Sequence, residues 1–112
     1  KIVLLFWASW SDESMSELSA YSAIYPMAFK NNTEYYQISL DKTRSSWING
    51  LSAAAARGVN VCDFKYWDSP AAVEYHVHKL PAVFLLDETG KIIRKGFSAS
   101  EFSDFLKNNA LN

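Results

Sequence analysis

Residues 2–14 read IVLLFWASWSDES. Ile2–Trp7 is continuously apolar and β-rich, the pattern of a strand covered on both faces, as in parallel sheets. Met15, Leu18, Tyr21, Tyr25 and Phe29 then recur at steps of three and four, giving a helix with one apolar stripe. Ser11 is a good N-cap for that helix. Asp12 and Glu13 in its first turn complement the helix dipole by roughly 0.3–1 kcal/mol each. Ser14 and Glu17 have the residue types of a local capping pair. Pro26 removes a backbone donor inside the stripe, which predicts a kink or a break there.

Working outward, EYYQISL (34–40) is the next strand, ended by Asp41 and Lys42. Residues 43–58, TRSSWINGLSAAAARG, read as a helix closed by Gly58. Residues 59–64 form a short extended piece. Asp68 or Ser69 caps a short helix with Pro70 in its first turn, where the missing donor costs nothing. AVFLL (82–86) and KIIRKGF (91–97) are strands joined by the hairpin turn Asp87-Glu88-Thr89-Gly90. Ser98 and Glu101 have capping-box spacing, and Phe102, Phe105 and Leu106 give the last helix its apolar face. The order predicts an α/β three-layer sandwich, a central mixed sheet flanked by helices, whose first strands are parallel because a helix separates them.

With 112 residues, 49% of them apolar, 15% aromatic and a net charge of −1, the composition fits one domain with a real core and excludes disorder. Interspersed acids and bases argue against a nucleic-acid partner held through phosphates. No apolar run approaches the roughly 20 residues of a bilayer-spanning helix. KIVLLFW opens inside a core strand, so residues 1–112 are expected to be a single domain cut from a longer protein. Cys62, the one cysteine, has no partner for an internal disulfide and does not by itself indicate a redox compartment.

VLLFWASW followed by a helix resembles the bacterial envelope thiol–disulfide oxidoreductases of the TlpA/ResA type, in which the phrase runs FWASWC-x-x-C. ISLD (38–41) and WDSPAAVEYHVHKLPAVFLLDETGKII (67–93) continue the likeness in order along nearly the whole chain. The resemblance implies a thioredoxin-like fold and a place in the periplasm or cell envelope. It sets Ser11 where the family has its nucleophilic cysteine and Ser14 where it has the resolving one, with Asp12 and Glu13 between them. Pro81 matches the family's cis-proline, and Leu80 the residue whose backbone pairs with a bound peptide. Glu17 matches a glutamate common in the first helix, and Leu5 falls where many members keep a buried acid. The family's N-terminal hairpin is not present.

Disulfide exchange needs a thiolate, stabilised by a helix N-terminus, and a second thiol to resolve the mixed disulfide. Serine supplies neither, the acids at 12 and 13 oppose an anion, and Leu5 accepts no proton. Dithiol chemistry is therefore excluded at Ser11–Ser14. The reading that follows is a redox-inactive module whose groove between Trp10, the Ser11–Ser14 helix start and Leu80–Pro81 docks a protein, an extended polypeptide or another domain of the same protein. The alternative is an atypical single-cysteine oxidoreductase acting through Cys62. As a lone cysteine among apolar neighbours, that residue reads first as a small buried hydrophobe. Two weaker readings concern histidines. Ser11 would need His78 as a base to act as a hydrolytic nucleophile, and His76 with His78 would need Asp12 or Glu13 to hold a metal. No cofactor or metal is expected, and Trp10 is the one tryptophan expected to lie exposed.

Overall fold

The computed structural model describes residues 1–110. Its central sheet has the order β3-β2-β1-β4-β5, formed by β1 (Ile2–Trp7), β2 (Glu34–Ser39), β3 (Val59–Cys62), β4 (Ala82–Leu86) and β5 (Ile92–Lys95). β1 pairs parallel with β2, and β2 with β3, while β4 runs antiparallel to both β1 and β5. This is the mixed sheet of a thioredoxin-like α/β sandwich.

The alternation of β1 divides the core. Val3, Leu5 and Trp7 join one apolar cluster with Leu18, Tyr21, Phe102 and Leu106, which come from α1 (Asp12–Ala23) and α5 (Ala99–Ala110). Leu4 and Phe6 point the other way, to Ala72, Val77, Leu80 and Phe84, under α4 (Pro70–Glu74). With both faces covered, the strand is apolar at every position, and each fully buried large side chain contributes about 1.5–3 kcal/mol.

The first helix breaks next to Pro26. α1 ends at Ala23, and α2 (Tyr25–Lys30) begins with the proline in its first turn, where no donor is lost. The break turns the stripe: Leu18 and Tyr21 are buried, whereas Phe29 is 59% exposed and lies outside the core. α3 (Arg44–Ala54) is capped by Thr43, whose hydroxyl accepts from the Ser46 N–H. It ends earlier than Gly58. Ala55 takes the left-handed position at φ 51°, and the Ala56 N–H reaches the Leu51 carbonyl in a Schellman-type ending. Gly58 serves a different need. Its φ is +88°, and a Cβ there would stand 2.8 Å from that of Tyr35.

The extended piece stops at Cys62, because Phe64 and Tyr66 both adopt positive φ. A 3-10 turn, Tyr66–Asp68, leads into α4. Ser69 occupies the N-cap position of α4, but its buried hydroxyl makes no hydrogen bond among the described residues. α4 ends in a second Schellman motif, with His76 at φ 54° and the Val77 N–H on the Ala72 carbonyl. At α5 the capping box is complete. The Glu101 N–H donates to Ser98 Oγ (3.1 Å), and the Ser98 N–H donates to Glu101 Oε1 (3.0 Å).

Candidate functional site

Ser11–Ser14 lies at the C-terminal end of β1, where the chain turns into α1. Ser11 Oγ accepts from the Ser14 N–H (3.2 Å), as an N-cap should. Ser14 does not pair with Glu17. It is wholly buried, its hydroxyl accepting from the Ala8 N–H (3.1 Å) and donating toward the carbonyls of Ala8 and Ser11 (both 3.0 Å). Glu17 instead accepts from the Ala99 N–H (3.0 Å), fixing the start of α5 against α1. Asp12 and Glu13 are exposed, and Leu5 sits fully buried in the cluster with Trp7, Leu18 and Val83.

The Leu80–Pro81 peptide bond is cis. Leu80 is buried, and Pro81 lines an open cavity of about 800 Å³ with Glu13, Ser16, Phe84, Gly96 and Phe97. The floor is apolar and the α1 wall acidic. Trp10 is not part of this cavity. It is 48% exposed and meets Tyr66 in a tilted aromatic contact, ring centroids 5.2 Å apart, lining a separate cavity of about 410 Å³ with Ser9, Asp41, Lys42 and Thr43.

The sequence marks Asp41 as a strand terminator and as the end of the ISLD stretch. It is 1% exposed and holds the ends of β1 and β2 together. Its carboxylate accepts from the Ser9 N–H (3.1 Å), the Ser9 hydroxyl (2.6 Å) and the Ser39 hydroxyl (2.7 Å). The signal was an acid directly after a strand, flanked by serines at two strand ends. Behind it lies Cys62, half-buried rather than fully buried, with its thiol directed at the Asp41 carbonyl (3.4 Å). Burial pushes the Cys62 thiol up, away from the thiolate.

The two histidine readings find no geometry. No hydrogen bond joins Ser11 to His78 among the described residues, and no group of three or more metal-binding side chains occurs among them. His76 and His78 both line a third cavity, with Trp67 and Val73.

Comparison with solved structures decides the family. A thiol-disulfide oxidoreductase from Bacteroides fragilis NCTC 9343 superposes with a TM-score of 0.85 at 30% identity, over 96% of this chain and 79% of that one. The chain belongs to the thioredoxin-like thiol–disulfide oxidoreductases. Two further solved structures share the fold. They are a thiol:disulfide interchange protein from Bacteroides sp. (TM-score 0.84, 17% identity, 96% and 70% covered) and StoA from Bacillus subtilis (0.78, 22%, 93% and 80%). No family model matches the chain, and no curated protein does. In this member of the family, the one thiol stands at the end of β3 and none stands at the start of α1.

Proposed function

We propose that this chain is an oxidoreductase-family domain that has lost dithiol exchange and uses the groove beside Pro81 to dock extended polypeptide. The observation that carries the loss is the state of Ser14. Its hydroxyl is buried and committed to Ala8 and Ser11, in a structural role that needs no thiol. Neither serine ionises near neutral pH or forms a disulfide. Asp12 and Glu13 set negative charge where a thiolate would need stabilising.

The docking half rests on the open cavity of about 800 Å³ along Pro81 and Phe97, which suits a strand-like segment pairing near Leu80. With no thiol lining it, a contact there is non-covalent and reversible. The partner is a protein in extended form or another domain of the same protein, and the setting is the bacterial periplasm or cell envelope. The rival reading, exchange through Cys62, is disfavoured because burial raises that thiol and its sulfur lies 3.4 Å from the Asp41 carbonyl.

The test is a titration of isotope-labelled protein with an unfolded, carboxymethylated polypeptide that carries no free thiol. Amide shifts confined to Ser16, Ala82, Gly96 and their neighbours support the docking role. An unchanged spectrum at saturating polypeptide overturns it.

A further inference from the structure

We propose that the Pro81 groove selects cationic segments: extended polypeptide in which a lysine or arginine, set among apolar residues, reaches the α1 wall. The inference rests on the docking reading above and adds the chemistry of the partner. α1 carries three acids, Asp12, Glu13 and Glu17, and no lysine or arginine. Glu13 and Glu17 both line the groove, four positions apart on the helix. Residues at that spacing are neighbours on a helix surface, so two like charges there repel. The helix dipole accounts for Asp12 and Glu13 in the first turn, but its effect fades beyond that turn and leaves Glu17 without the same support.

Both carboxylates are available to a ligand. Glu13 is exposed, and its side chain makes no hydrogen bond or ion pair among the described residues. Glu17 is half-buried. Its Oε1 accepts from the Ala99 N–H at 3.0 Å, which anchors the carboxylate at the groove and leaves Oε2 free of hydrogen bonds among the described residues. Lys95 is the one lysine or arginine on the groove lining. It enters from β5 and forms no ion pair with either glutamate, so the groove keeps a net negative charge. A cationic side chain on the α1 wall would meet both glutamates and relieve their repulsion, in charge-assisted contacts stronger than neutral ones. An acidic segment would add a third like charge, and the same wall rejects it. Tyr75, Phe84 and Phe97 supply apolar lining that a small free cation would leave unused, which favours a polypeptide with apolar residues beside its charge.

The test titrates isotope-labelled protein with three thiol-free peptides, alike except for one central lysine, glutamine or glutamate among valines and serines. The lysine peptide is expected to bind about tenfold more tightly than the glutamate peptide, with the glutamine peptide between them. Raising the salt from about 0.05 to about 0.5 M should shrink that ratio in the parent. Glu13→Lys should remove the preference. Glu88→Lys, the same charge change in the exposed β4–β5 turn, should keep it, with circular dichroism reporting that each variant stays folded. Equal affinities for the three peptides, or tighter binding of the glutamate peptide, overturn the inference while docking stands. Binding of none of them overturns docking and this inference with it. A preference untouched by Glu13→Lys, or lost as fully in Glu88→Lys, also overturns the inference.

Discussion

Ser14 Oγ stands 3.1 Å from the amide nitrogen of Ala8 and 3.0 Å from its carbonyl oxygen, so the first turn of α1 is tied to the first residue beyond β1. The side chain thus serves as a buried strut that keeps the helix start in place.

Removing the strut should cost more than removing the cap. Ser14→Ala leaves the Ala8 N–H buried without its acceptor and is expected to destabilise by about 1–3 kcal/mol. Ser11→Ala loses only the N-cap bond and should cost about 1 kcal/mol. Urea unfolding of the two variants measures both, and the order Ser14 above Ser11 is the expected outcome.

Ala55 ends α3 at φ 51° in the left-handed region that favours glycine. Ala55→Gly should relieve that strain and stabilise by about 0.5–1 kcal/mol, seen as a rise of a few degrees in Tm. A lowered Tm would show that the helix end is held in some other way.

Burial raises the Cys62 thiol in the folded chain above its value in the unfolded chain. The stability this confers is fully present below the ordinary thiol range. It is lost as pH climbs through the raised folded value, because the unfolded chain releases its proton first. Parent stability should therefore fall more steeply than that of Cys62→Ser as pH rises above the ordinary thiol value of about 8.5. Tyr21 and Tyr35, whose hydroxyls burial also raises, add a further loss in both proteins above about pH 10. Alkylation of native Cys62 should be slow at pH 7 and quicken only at alkaline pH.

Much of this architecture was legible because local chemistry and packing agree. The Ile2–Trp7 run, the break at Pro26 and the Ser98–Glu101 box each carry their own signal, and each forms as read. The misreadings have a shared origin in side chains whose role is set by distant neighbours. Gly58 looked like a helix stop, but its need for no side chain comes from Tyr35 on the adjacent strand. Glu17 looked like a capping partner of Ser14, yet its acceptor serves Ala99, eighty-two positions along the chain. Asp41 gathers Ser9 and Ser39 from two strand ends, which no local window contains. Trp10 was legible as exposed. Its facing Tyr66 rather than Pro81 follows from the positive-φ loop at Phe64 and Tyr66, a conformation that bulky residues rarely signal in advance.

A disulfide-reduction assay decides whether this domain is redox-inactive. The parent and Cys62→Ser would be run beside an intact CxxC relative as positive control. Turnover by the relative and none by either form of this protein is the predicted result. Reduction by the parent that vanishes in Cys62→Ser would overturn the redox-inactive reading and make Cys62 a working thiol.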